Sequence, residues 1–233
     1  PTASTPRNFK KRLSYSPLAE AARCGKMRHR HLAFSAPHAI PMTILPTLLI
    51  LAAGSGSRYR ASGGQTHKLD ALIDGSSVLQ RAVQAAEQSG LAWHVVRAAD
   101  VPQGSVGMGD SIAAGVRATA NAAGWLIIPG DLPLVLPATL QRVAHALATG
   151  THDVVTPLFR GRQGHPVGFS ASCLTQLTAL SGDRGASSIV QEARTRHRVL
   201  TLDVDDDEGI VTDIDTVDDL LRAQALHRQR TGR

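Results

Sequence analysis

From Leu48 onward, short apolar runs alternate with stretches whose apolar positions recur every three or four residues. The first kind reads as buried strand and the second as amphipathic helix. Strands are predicted over Leu48–Ala53, Trp93–Arg97, Trp125–Pro129, Asp153–Pro157 and Val199–Val204. Helices are predicted over Ser77–Gln88, Asp110–Ala123, Pro137–Ala148, Cys173–Leu180, Gly185–Ala193 and Thr216–Arg228. Local punctuation agrees with these spans. Gly90 follows the first helix, Asp110 or Ser111 caps the second, Pro137 occupies a first turn and Thr216 is a good N-cap. Trp125-Leu126-Ile127-Ile128 has no polar position, as a central parallel strand covered on both faces requires. The alternation predicts an α/β domain with a mostly parallel sheet and helices on both faces. Ligands of such sheets bind beyond the carboxyl ends of the strands, so the chemistry is sought there.

Composition sharpens this picture. The 233 residues are 42% hydrophobic but only 3% aromatic, so the core is built from Ala, Val, Leu and Ile. That length suffices for one sizeable domain. No apolar run approaches the roughly 20 residues of a membrane helix. The net charge of +6 suggests nucleic acid, but its distribution argues otherwise. Residues 1–41 hold eight Lys/Arg and one Glu, a net of +7, which leaves the remainder at −1. A basic patch on the domain, which nucleic-acid binding needs, is not evident. Residues 1–41 are expected to be a disordered tail, and 42–233 a single domain with a natural start at Met42. A basic, acid-poor tail also fits an organelle transit peptide. Cys24 and Cys173 show no metal or redox spacing, which fits a cytoplasmic protein.

Five strand ends or turns carry candidate chemistry. The first is Leu51-Ala52-Ala53-Gly54-Ser55-Gly56-Ser57-Arg58, followed by Lys68. Glycine lets backbone N–H groups approach an anion, and two cations behind it suit phosphate. A GxGxxG fingerprint fails here, because Tyr59 stands where its third glycine belongs, and no P-loop pattern is present. A plain turn is the bland alternative. The second is Gly130-Asp131-Leu132-Pro133 after the apolar strand, where a braced carboxylate suits Mg²⁺ or merely closes a turn. The third is Asp213-Ile214-Asp215-Thr216, in which alternation puts both carboxylates on one side. Asp213 or Asp215 is expected to complete a metal site with Asp131, whereas Asp205 to Gly209 read as a solvated turn without chemistry. The fourth is Gly107-Met108-Gly109-Asp110-Ser111, whose glycines offer free N–H groups at a helix start. The fifth is the glycine-rich loop Gly161–Phe169, in which Gly164-His165-Pro166 faces substrate or His165 is simply structural.

In order along the chain, these blocks resemble the MobA-like NTP transferases, and most closely the molybdenum cofactor cytidylyltransferases among them. The matching residues are Leu51-Ala52-Ala53-Gly54 with Ser55, Ser57 and Arg58, then Lys68, Gly107-Met108-Gly109 with Ser111, and Gly130-Asp131-Pro133. Gly115, Gly164-His165-Pro166-Val167 with Phe169, Gly182-Asp183 with Gly185-Ala186, and Asp213-Ile214-Asp215-Thr216 with Asp219-Leu220 complete the set. The resemblance implies a Rossmann-like, doubly wound fold and a Mg²⁺-dependent transfer of CMP from CTP to the terminal phosphate of a molybdopterin-type acceptor. It implies a triphosphate site at Leu51–Arg58 (Gly56 included) and Lys68, with Gly109, Ser111 and Gly130 nearby. It implies Mg²⁺ on Asp131 with Asp215 or Asp213, and substrate contacts from Gly164, His165 and Pro166. Arg58, Lys68 and Asp131 are then the catalytic residues. Ala53 tilts the nucleotide to CTP, since relatives that use GTP carry LAGG. A molybdoenzyme or its chaperone is the implied recipient, with no nucleic acid or membrane involved. GTP or another phosphorylated acceptor, or a non-catalytic cofactor-binding chaperone, are the alternatives. Two departures stand out: Tyr59 to His67 lengthen the path from Arg58 to Lys68, and only Ala98 to Val106 separate Arg97 from Gly107.

Overall fold

The computed structural model describes residues 44–102 and 107–232. The expectations for the 1–41 tail and a start at Met42 lie outside the described residues, as does part of the Ala98–Val106 connection. Nine strands and seven helices follow one another: β1 Thr47–Ala52, α1 Ser57–Ala61, β2 Leu72–Ile73, β3 Ser76–Ser77, α2 Val78–Ser89, β4 Trp93–Arg97, α3 Met108–Ala118, β5 Gly124–Pro129, α4 Pro137–Ala148, β6 Val154–Phe159, β7 Arg162–Gln163, β8 Val167–Ser170, α5 Leu174–Thr178, α6 Ser187–Thr195, β9 Val199–Asp203 and α7 Val217–Thr231. β2 and β3 form a separate hairpin. The other strands make one sheet in the order β4-β1-β5-β8-β6, with β7 and β9 both on β6. β1 pairs in parallel with β4 and β5, and β6 in parallel with β9. β8 runs antiparallel between β5 and β6, joining the two parallel halves, and the short β7 is also antiparallel to β6.

The two faces of the sheet follow from the pleat. Leu48 and Ile50 of β1, with Leu126 and Ile128 of β5, pack under α2 and α4 in one apolar cluster. Leu49, Trp125 and Ile127 point the other way, beneath α3, α5 and α6. Consecutive residues feeding opposite layers explain why WLII has no polar position. α2 starts at Ser77 with a capping box to Gln80 and ends on Gly90 in the left-handed region. α7 starts with the same device, Thr216 with Asp219.

Several expectations are corrected. α3 begins at Met108, so Asp110 is not its N-cap but sits one turn in, accepting from Gly107 N. Residues 161–169 are not one loop, because most of them are strand: β7 and β8 follow one edge of β6 while β9 takes the other. The acidic run is not wholly solvated either. Asp207 is fully buried and accepts from Leu136 N (2.9 Å), Gly209 N (3.0 Å) and Arg230 (3.2 Å). It thereby ties the start of α4 to the end of α7. No helix among the described residues is long and apolar enough to cross a membrane.

Asp207→Ala should cost about 2–4 kcal/mol, because it strands two backbone donors and a guanidinium. Urea unfolding of the variant checks this, and a loss below half a kilocalorie would mean water replaces the carboxylate.

Candidate active site

From β1 the chain moves outward to β4 and then crosses back to β5, so the winding reverses between β1 and β5. A crevice must open beyond the carboxyl ends of these two strands. There lies a cleft of about 800 Å³, lined by Ala53 to Tyr59 after β1 and by Asp131 and Leu132 after β5. Because β8 runs in the opposite sense, its first residue, Val167, pairs with Ile127 near this same edge. The residues before it, Gly164 and His165, therefore enter the cleft. The Asp213–Asp215 segment joins because Ile214 N donates to the Asp131 carbonyl at 3.0 Å.

Four charged side chains meet at the floor. Lys68 Nζ donates to Asp131 Oδ2 at 2.5 Å and to Asp215 Oδ1 at 3.0 Å. Asp215 also pairs with Arg58 through its other oxygen. Lys68 and Asp131 are about equally enclosed, 14% and 15% exposed, whereas Arg58 is 78% exposed. Burial by itself lowers the Lys68 pKa, but the two carboxylates outweigh it and hold the ammonium above its ordinary value. Each charge stands on a shared apolar base. Tyr59, Leu69, Leu134 and Ile214 belong to one buried cluster with Ile73, Val78 and Ala223 of α7. Arg58, Lys68 and Asp215 each adjoin one of its members in sequence, and Asp131 lies three residues before Leu134. Packing beneath thus fixes the charges above.

The remaining predicted residues divide into two groups. Leu51, Ala53, Gly54, Ser55, Gly56, Ser57, Ser111, Gly164, His165 and Asp213 line the cleft. Ala52, Gly109, Gly130 and Pro166 do not line it. Gly109 has no free N–H, because it donates to Gly182 O at 2.9 Å. A Cβ at Gly107 would fall 1.9 Å from the Gly182 backbone, so these glycines serve close packing of α3 on that turn. Gly130 N donates to Leu51 O at 2.8 Å and ties β5 to β1. Asp213 is exposed and does not join the lysine cluster; no group of three metal-ligating side chains assembles among the described residues. Burial pushes the His165 imidazole below the ordinary histidine value, against a hydrogen bond to the Ile127 backbone and the charges of Asp131 and Asp213. Met108, Arg162 and Asp183 also line the cleft. His67, unremarked in the sequence except as part of a long connection, contacts the glycine turn through Gly54 O at 2.9 Å.

The MobA-like NTP transferase domain profile matches residues 48–199, which is most of the chain. The chain belongs to the MobA-like NTP transferase family. It is a nucleotidyltransferase. Solved structures of the same fold include Rv0371c from Mycobacterium tuberculosis H37Rv, with TM-score 0.61 and 24% identity over 77% of this chain and 98% of that one. A structure of Rv0371c in complex with manganese is 25% identical over 77% and 97% of the two chains, with TM-score 0.58. A nucleotidyl transferase from Methanothermobacter thermautotroptrophicus, Mth528, gives TM-score 0.62 and 23% identity over 80% and 99%. Molybdopterin-guanine dinucleotide biosynthesis protein A from Archaeoglobus fulgidus is more distant, with TM-score 0.53 and 17% identity over 78% and 99%. A search of the curated proteins found no significant match.

In this NTP transferase the donor set at the cleft floor suits a hard divalent cation. Asp131 Oδ1 is buried without a hydrogen-bond partner, and Asp215 stands across the Lys68 ammonium. Two carboxylates leave further coordination to phosphate oxygens and water, the usual arrangement for Mg²⁺. Lys68→Met removes the cation that now occupies both carboxylates. Mn²⁺ should then bind the nucleotide-free protein about tenfold more tightly by isothermal titration. Weaker binding would show that a divalent cation does not use this pair.

Proposed function

We propose that this transferase moves CMP from CTP to the terminal phosphate of a molybdopterin-type acceptor and releases pyrophosphate. The observation that carries the reading is the cluster of Arg58, Lys68, Asp131 and Asp215 at the mouth of the glycine turn. An acceptor phosphate oxygen attacks the α-phosphorus of CTP, and the bond to the bridging oxygen of the β-phosphate breaks. That oxygen departs with the electron pair as pyrophosphate. A phosphate nucleophile is already ionised near neutrality, so no strong general base is required.

The chain's own work is positioning and charge compensation. Arg58 and Lys68 hold the triphosphate and the departing pyrophosphate. Asp131 and Asp215 would hold Mg²⁺, which supplies charge neutralisation at the phosphates when bound. Gly164 and His165 face the acceptor side of the same cleft. Ala53, at the base of the turn, supports CTP over GTP, because the resemblance associates its LAAG form with cytidylyl transfer. GTP, or a different phosphorylated acceptor, is the second reading. A non-catalytic cofactor chaperone is disfavoured by retention of two carboxylates and two cations in one cleft. A molybdoenzyme or its chaperone would receive the product. We assign the activity to the cytoplasm, in keeping with two cysteines that show no metal or redox spacing.

Transfer of labelled CMP with release of pyrophosphate, compared across CTP, GTP, ATP and UTP, tests the reaction. CTP should be the preferred donor, and equal or better use of GTP would remove the Ala53 argument. Asp131→Ala should lower turnover about a hundredfold or more while the protein stays folded. Near wild-type turnover in that variant would overturn the metal assignment.

A further inference from the structure

The long connection from Arg58 to Lys68 is a built structure. Tyr59 is buried, and its carbonyl accepts from Ser62 Oγ at 2.8 Å and Gly64 N at 3.1 Å. Ser62 Oγ in turn accepts from Val217 N at 3.0 Å, pinning the segment to the start of α7. The connection then folds back on the glycine turn, and the residue that makes contact is His67. Its Nδ1 accepts from Leu69 N at 3.2 Å, capping the single turn Lys68–Asp70. Its Nε2 lies 2.9 Å from Gly54 O. A backbone N–H can only donate and a carbonyl can only accept. Nδ1 is therefore bare, and the proton sits on Nε2. The ring also lies against Gly56, whose φ is +64°: a Cβ there would come within 3.2 Å of Nε2.

We propose that His67 is a positioning residue for triphosphate binding, fixing the distance between the Gly54–Gly56 turn and the Lys68 ammonium. One imidazole spans both partners. Its Nε2 sets the Gly54 peptide, and its Nδ1 sets the turn whose first residue, Lys68, reaches Asp131 and Asp215. Without the Gly54 contact the connection still delivers Lys68, but the turn loses its register with it. The inference rests on the phosphate role proposed for this loop.

Two variants separate the two hydrogen bonds. His67→Asn keeps an oxygen in place of Nδ1, at a cap position that favours Asn, and loses the reach to Gly54. His67→Gln places an amide N–H at the distance of Nε2. Binding of inorganic tripolyphosphate, without a base and with Mg²⁺ present, is measured by isothermal titration beside the melting temperature. His67→Asn should bind about tenfold more weakly at a nearly unchanged melting temperature, and His67→Gln should recover most of the loss. In transfer assays the change should fall on KM for the nucleotide and leave kcat nearly intact. Wild-type binding by His67→Asn would overturn the proposal, as would a loss matched by an equal fall in stability and shared by His67→Gln. If wild-type protein binds tripolyphosphate but transfers no nucleotide, the transfer reading fails while the binding ratio still decides the role of His67. No tripolyphosphate binding by wild type would overturn both.

Discussion

Lys68 between Asp131 and Asp215 is the contact around which the functional end of the molecule is arranged. The three residues come from distant parts of the chain: the connection after α1, the end of β5 and the entry to α7. A pair this enclosed gives little net stability, since desolvation offsets much of the Coulomb gain. Its effect is to hold two carboxylates close together that would otherwise repel. It does so at the one edge of the sheet where the winding reverses. The backbone contact of Ile214 with Asp131 and the apolar base of Tyr59, Leu69 and Ile214 keep this geometry from depending on the ion pair alone.

The same arrangement links the two ligands in the proposed reading. Each cation assigned to phosphate is presently bound to a carboxylate assigned to the metal. A divalent cation that neutralised the carboxylates would release Arg58 and Lys68, and a triphosphate that engaged those cations would release the carboxylates. Linkage makes such help reciprocal: whatever factor one ligand gains from the other, the other gains equally. The charges are balanced internally before either ligand arrives.

Much of this was legible in the chain. WLII read as a central strand because both pleat faces are covered, and Trp93–Arg97 and Pro137–Ala148 fell where the pattern put them. The glycine turn, Asp131 and Asp215 were found as strand-end motifs, since the topology brings strand ends together. What escaped was set by non-local contacts. Val167–Ser170 is too short for periodicity to reveal, and its Gly-His-Pro prelude looks like loop. Asp207 sits among four acidic neighbours on a run that reads as solvated, and only Arg230 and two backbone donors explain its burial. Gly107 and Gly109 looked like anion ligands because a packing glycine and a binding glycine share one local signature. Their tight approach to Gly182 and Arg184 is visible only in three dimensions.

The inverted strand has a consequence for how the chain assembles. β5 and β6 share no ladder; they are joined only through β8. Before β8 is in place, β4-β1-β5 and β6 have no ladder between them and the gap stays open. Until then two sheet edges with unpaired backbone groups face the solvent. The last strand to enter the middle is also the one that carries Gly164 and His165 to the cleft. Filling the gap between β5 and β6 and bringing Gly164 and His165 to the cleft thus depend on one and the same strand.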